Sequence, residues 1–183
     1  MLTHKGTQNL KTKRLLLRKY EMTDAEQMFK NYATDSEVTR FLNWDPYNNV
    51  DEVKLFLKEV MKKYDNLDNY NWAIEYSGEM IGSISAYGLN DRDSACEIGY
   101  CLGRAYWNQG IMSEALDAVL QYLFREVNMH RIMAKHDVDN PASGKVMQKC
   151  NMVHEGTFRK FYLHEDGTYS DSLIYGILNE EYN

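Results

Sequence analysis

Cys96-Glu97-Ile98-Gly99-Tyr100-Cys101-Leu102, followed by Trp107-Asn108-Gln109-Gly110-Ile111-Met112-Ser113-Glu114-Ala115, reads as a strand, a tight glycine-bearing loop and the start of a helix. Such a junction suits a phosphorylated ligand. The first four amides of a helix lack intrahelical partners, and the aligned peptide dipoles place partial positive charge at the same end. Gly110 lets the backbone approach a ligand closely, which a Cβ would hinder. Two other phosphate-binding patterns are missing from the chain: no glycine-rich loop ends in Gly-Lys-Ser/Thr, and no Gly-x-Gly-x-x-Gly precedes an acidic residue about twenty positions on.

Outward from this junction the pattern is that of one α/β domain. Arg14 to Tyr20 predicts a first strand, and Thr23-x-x-Glu26 a capping box opening a short helix with Ala25, Met28, Phe29 and Tyr32 on one face. Between Asp51 and Tyr64 the apolar residues Val53, Phe56, Leu57, Val60, Met61 and Tyr64 recur at spacings of three and four, an amphipathic helix. Trp72 to Tyr76 and Met80 to Tyr87 flank Ser77-Gly78 as a hairpin, and Ala95 to Leu102 extends it into a meander. Ser113 to Glu126 carries Leu116, Val119, Leu120 and Leu123 on one face, and Arg131 to Val138 follows as a strand. Together with Ala95 to Leu102 these form a parallel β-α-β unit.

Asn140 is suited to cap a further helix with Pro141 at its first position, and Asn151 to end it in the left-handed conformation. Val153 to Tyr162 and Tyr169 to Ile177 close the sheet through the turn His164-Glu165-Asp166-Gly167. The expected order is β-α-α-β-β-β-α-β-α-β-β: a mixed, mostly antiparallel sheet of about seven strands flanked by about four helices.

Composition narrows the function. A chain of 183 residues that is 44% hydrophobic and 13% aromatic can bury the core of one domain. The expected organisation is a loose polar segment over 1–11, a domain over 12–178 and a tail over 179–183. No apolar run approaches the roughly 20 residues that span a bilayer, and the first residues lack the apolar stretch of a signal peptide, so a soluble, cytoplasmic protein is expected. The net charge of -6 argues against nonspecific binding to nucleic acid or an anionic membrane and suits a cationic partner. Cys96, Cys101 and Cys150 match no zinc spacing and read as reduced, buried thiols. No pair of the five histidines has metal spacing on a helix, and no metal is expected.

The loop Trp107-Asn108-Gln109-Gly110-Ile111-Met112 falls where the GCN5-related N-acetyltransferases carry Gln/Arg-x-x-Gly-x-Gly/Ala, with Trp107 and Met112 departing from that general form. As Tyr-Trp-x-x-Gly-x-x-Ser-Glu-Ala it resembles the ribosomal-protein N-terminal acetyltransferases of the RimJ/RimL type. Arg14-Leu15-Leu16-Leu17-Arg18 with Asp24-Ala25, His130-Arg131-Ile132, Asn140-x-x-Ser143, Lys149, Glu155-Gly156 and Gly167-x-Tyr169-x-Asp171 agree with it over residues 12 to 178. The resemblance implies the GNAT fold, acetyl-coenzyme A as co-substrate and direct transfer to a primary amine in a ternary complex. The acceptor would be a peptide N-terminus or a small amine such as a polyamine, amino acid or antibiotic. A non-catalytic coenzyme A module and a homodimer both stay open.

Acetyl transfer from a thioester needs a neutral amine, stabilisation of an oxyanion and a proton for the departing thiolate. By family position, the backbone of Tyr100, Cys101 and Leu102 would hold the pantetheine arm at a β-bulge. Asn108, Gln109, Gly110, Ile111, Met112 and Ser113 would hold the pyrophosphate, and Asn140 would both cap its helix and contact the cofactor. Glu97 is the candidate general base, with a structural or substrate-ordering carboxylate as the alternative. Ser143 is the candidate proton donor to the thiolate, replacing a tyrosine that many relatives outside this subfamily carry on that helix, or else a simple first-turn residue with no dedicated acid. Asp171 would face the acceptor amine, or pair with Arg159 or Lys160. Lys145, Lys149 and Arg104 would meet phosphates or stay solvated. An acetyl-cysteine at Cys101 is disfavoured, because its strand offers no histidine to activate the thiol.

Overall fold

In the computed structural model, which describes residues 2–164 and 166–182, eight strands form one sheet in the order β1-β2-β3-β4-β5-β6-β8-β7. The strands are β1 (Leu10–Lys11), β2 (Leu15–Arg18), β3 (Tyr70–Tyr76), β4 (Glu79–Asn90), β5 (Ala95–Leu102), β6 (Arg131–Asp137), β7 (Val153–Leu163) and β8 (Tyr169–Leu178). All neighbours run antiparallel except β5 and β6, joined by a crossover helix as the alternating strand and helix patterns require. The helices are α1 (Asp24–Met28), α2 (Ser36–Thr39), α3 (Val50–Met61), α4 (Ile111–Arg125) and α5 (Pro141–Lys149). Relative to the expected seven strands and four helices, the additions are the two-residue β1 and the one-turn α2. Both are too short to leave a periodic signal.

Strand alternation divides the core between the two faces of the sheet. Leu17, Trp72, Ile74, Ile81, Ile98 and Ile132 bury against Leu116, Val119, Leu120 and Leu123 of α4 and Met147 of α5. Ala73 and Met80 bury on the other face with Ala25 and Met28 of α1, Tyr32, and Val53 and Leu57 of α3. Residues 2–11, polar in composition, lie along this core through Thr3 N to Val127 O, Gly6 N to Leu67 O and Trp72 Nε1 to Gln8 O. At the other end Tyr182 Oη donates to Asp117.

Three helix starts differ from their sequence reading, α4 beginning at Ile111 and not at Ser113. The Thr23 side chain makes no cap bond. The Asp24 carboxylate instead accepts the Glu21 N–H at 2.8 Å and both terminal nitrogens of Arg18 at 2.7 and 2.8 Å, with Arg18 Nε on Glu75 at 2.7 Å. A buried carboxylate is stable only when so paired, and this one locks α1 to β2 and β3. Helix α3 is capped by Asn49 Oδ1 on Glu52 N, while Glu52 reaches back to Asn48 N, so it begins one residue earlier than its apolar spacing indicates. At the β7–β8 turn Gly167 N donates to His164 O; Glu165, part of the expected turn, lies outside the described residues.

Candidate active site

The parallel ladder between β5 and β6 pairs Ala95 to Ile98 with Arg131 to Ala134 and then stops, although β5 runs on to Leu102 and β6 to Asp137. Beyond Ile98 the strands part, β5 staying with β4 and β6 with β8. Gly103 N donates to Ile81 O on β4, and antiparallel bonding alternates along a strand, so the amides of Tyr100 and Leu102 face the opening while that of Cys101 faces β4. The register from Glu97 to Leu102 is continuous. Splaying of the strands, rather than the expected β-bulge, leaves these amides without a ladder partner.

The opening continues into a cleft of about 410 Å³ that reaches the start of α4. Asn108 (φ 59°) and Gly110 (φ 71°) both take the left-handed conformation, and Gly110 stands at the N-cap position without a side-chain cap. The amides of Ile111, Met112 and Ser113 are thereby left to a ligand, in the partial positive field of a 15-residue helix. Trp107 Nε1 donates to Leu102 O at 2.7 Å, fixing the loop to the end of β5. Lys145 and Lys149 add cationic side chains to the wall.

Opposite, Asn140 caps α5 by accepting the Ser143 N–H, and Pro141 occupies the first helical position. Ser143 meets Tyr100: the Tyr100 hydroxyl donates to Ser143 O at 3.0 Å and lies 3.1 Å from Ser143 Oγ. The phenol has one proton, so with that proton on the carbonyl its oxygen accepts from Ser143 Oγ. Burial pushes the Tyr100 phenol well above its usual range, against the smaller opposing effect of Ser143. Tyr100 therefore stays protonated and serves as a hydrogen-bonding partner of Ser143.

Alternation along β5 puts Glu97 on the face away from α5. Its Oε1 accepts from Tyr87 Oη at 2.5 Å and from Lys135 Nζ, while Oε2 has no hydrogen bond among the described residues. Lys135 is the first β6 residue beyond the ladder, so this pair sits at the apex of the opening, with the Phe161 ring 5.6 Å from Nζ. Burial, then the Glu97 carboxylate, pushes the Tyr87 phenol far above its usual range, keeping it a donor.

The cleft thus brings together Tyr100, Cys101, Leu102, Asn108, Gly110, Ile111, Met112, Ser113, Asn140 and Ser143. Glu97, Gln109 and Asp171 lie outside its wall. Gln109 Nε2 turns back to Ala105 O, and Arg104 pairs with Asp35 at 3.0 Å. Asp171 accepts the Lys160 backbone N–H at 2.8 Å, where Lys160 has a φ of 51°. In alternation with Ser170 and Ser172 it stands on the sheet face opposite Glu97. Cys101 lies 3.2 Å from Ser83, and burial pushes its thiol up to about 11.

Sequence reasoning missed the Tyr100 side chain, Lys135, and the α2 region, whose Glu37, Phe41 and Leu42 close one side of the cleft. A tyrosine in the apolar register Cys96, Ile98, Tyr100, Leu102 was a signal for the first. The α2 region carried none.

A sheet parted beside an uncapped helix N-terminus defines the class of architecture: an α/β domain whose backbone can receive an anionic, phosphorylated ligand. Residues 14–153 match the family model of the acetyltransferase (GNAT) domain. The chain is 33% identical over 175 residues to the uncharacterized N-acetyltransferase YnaD of Bacillus subtilis, covering 96% of this chain and 99% of that protein. A crystal structure of a GNAT-family acetyltransferase from Bacillus anthracis, 30% identical, superposes with a TM-score of 0.83 over 95% of this chain and 100% of that one. Over 80 residues, 44% of this chain and 41% of the relative, identity is 36% to the ribosomal protein uS5-alanine N-acetyltransferase of Escherichia coli. The chain belongs to the GNAT family of acetyltransferases. Among the described residues, no helix is long and apolar enough to cross a membrane.

Proposed function

We propose that this N-acetyltransferase acetylates the α-amine of a peptide or protein N-terminus in the cytoplasm, by direct transfer within a ternary complex. The donor is acetyl-coenzyme A, which supplies the acetyl group as a thioester. The observation that carries the reading is the parting of β5 from β6 beyond Ile98 and Ala134, next to the free amides that follow Gly110. It offers one opening to a donor on the α4–α5 face and to an amine on the Glu97 face.

The chain's own groups divide the work. Amides of Ile111 to Ser113 receive the diphosphate, with Lys145 and Lys149 as added charge. The amides of Tyr100 and Leu102 face the opening, where preorganised donors stabilise negative charge developing on a carbonyl oxygen. Ser143 Oγ rests on the Tyr100 phenol and can turn its hydroxyl to hydrogen-bond a departing thiolate, relaying to it the second proton shed by the attacking nitrogen so that the serine ends protonated. Glu97, with Oε2 open, orders the incoming ammonium group and takes its proton directly or through water. An α-amine has a pKa near 7.7–8.0 against about 10.4 for a lysine side chain, so the demand on this carboxylate is modest for an N-terminal acceptor. The relative that acts on a ribosomal protein alanine supports this acceptor class.

Thiol release from acetyl-coenzyme A, followed over N-terminal peptides, lysine side-chain amines, polyamines and amino acids, tests the reading. Highest kcat/KM on N-terminal peptides is expected. Preference for a small amine replaces the acceptor class, and donor binding without turnover on any amine leaves a coenzyme A module instead of an enzyme.

A further inference from the structure

The turn between β1 and β2 grips the donor loop from behind. Thr12 Oγ1 donates to Glu114 Oε1 at 2.6 Å, Arg14 N to the same oxygen at 2.8 Å, and Arg14 Nε to Glu114 Oε2 at 2.6 Å. Arg14 Nη1 reaches across to Gln109 O at 3.0 Å, and Nη2 lies 3.7 Å from where a Cβ on Gly110 would stand. One guanidinium therefore joins the residue before the left-handed glycine to the first turn of α4.

Glu114 explains why such a grip is needed. It is an acidic residue in the first turn of α4, so it draws on the positive field of the same helix end that a diphosphate would use. Burial opposes its charge, but the hydrogen bonds from Thr12 and Arg14 prevail and hold the carboxyl below its ordinary range. Without the Arg14 guanidinium, Glu114 would keep its hydrogen bonds from Thr12 Oγ1 and Arg14 N but lose its cationic partner, leaving a net negative charge in the helix turn that borders the donor site, and the Gln109 carbonyl would lose its tether.

We propose that Arg14 is a positioning residue for the acetyl donor: it neutralises Glu114 and ties Gln109 so that the amides after Gly110 stay turned into the cleft. This rests on the donor-binding reading above. Arg14 touches no reacting atom, so its effect falls on donor affinity and not on the chemical step.

The test measures acetyl-coenzyme A binding by calorimetry, and KM for donor and amine, in wild type, Arg14→Met, Arg14→Lys and Arg14→Met with Glu114→Gln. In Arg14→Met, the donor Kd and KM are expected to rise about tenfold, with amine KM and kcat at saturating donor within about twofold. Arg14→Lys, which keeps the charge but loses the forked reach to Gln109, is expected between the two. Adding Glu114→Gln to Arg14→Met is expected to recover about half of the loss on a logarithmic scale. Thermal melts of each variant exclude misfolding as the cause. An unchanged donor Kd in Arg14→Met, a loss confined to kcat, or no recovery in the double variant would overturn the proposal. Failure of the wild type to bind the donor would overturn the functional reading itself.

Discussion

The Tyr100 hydroxyl bridges strand β5 and the first turn of α5 by meeting both oxygens of Ser143, the carbonyl at 3.0 Å and Oγ at 3.1 Å. A phenol thus arrives from the strand and engages the helical serine. Tyr100→Phe removes the group on which the serine proton rests. About a three- to tenfold fall in kcat is expected, the scale of one hydrogen bond of about 1 kcal/mol. Ser143→Ala is expected to fall at least as far, and the double variant no further than Ser143→Ala. A double-mutant cycle on kcat measures this coupling; fully additive losses would mean the two act separately.

Glu97 stands outside the donor cleft, on the face from which an amine would enter. Glu97→Gln keeps the hydrogen bond from Tyr87 and removes the charge that faces Lys135. A fall in kcat/KM for the amine of about 10²-fold is expected, typical of a lost general base, with the donor KM unchanged. Steady-state kinetics as a function of pH on an N-terminal peptide check it. A profile of unchanged shape would leave Glu97 as an anchor for Lys135 alone.

Helix α5 approaches β6 through Gly144, where an added Cβ would lie 2.5 Å from His136 Nε2. The imidazole cannot withdraw easily, since Nδ1 bonds Asp137 O at 2.7 Å and the ring lies against Tyr175. Gly144→Ala is therefore expected to destabilise the fold by about 1–3 kcal/mol, as overpacking does, despite the better helix propensity of alanine. It would also push Ser143 away from Tyr100. Urea unfolding gives the first effect and kcat the second.

Burial raises the thiols of Cys96 and Cys150 to about 12 and that of Cys101 to about 11. Unfolded, each would ionise near 8.5. The folded state thus binds more protons than the unfolded chain above that value, so stability is whole below it and declines as pH rises toward 11–12. A urea midpoint that is level from pH 7 to 8 and falls between roughly 9 and 10.5 is expected, with a shallower fall in Cys96→Ala/Cys150→Ala. For the same reason, alkylation of the native protein at pH 8 should be slow and become fast on unfolding.

Much of the fold was legible because its cues are local. Apolar spacing located α3 and α4, Asn140-Pro141 the start of α5, and Ser77-Gly78 the β3–β4 turn, each a matter of residues within a few positions of one another. Thr23 was misread for the complementary reason: whether a helix is capped by Thr23 or tethered through Asp24 depends on Arg18 and Glu75, which only the folded sheet brings near. The donor loop stood out through Gly110. Gln109 and Asp171 were placed on the site by resemblance, yet their side-chain partners, Ala105 O and Lys160 N, are set by loop and bulge geometry.

By itself the sequence determined the element types, the β-α-β crossover and the glycine that frees a helix end, since periodicity and backbone preference act over one or two turns of chain. Tertiary structure decided the rest. Where β5 leaves β6, that Tyr100 meets Ser143 across 43 positions and that Arg14 reaches Gln109 across 95 are consequences of which strands pair and for how long. Contacts that distant leave no periodic trace, because they are selected by packing and not by neighbouring residues.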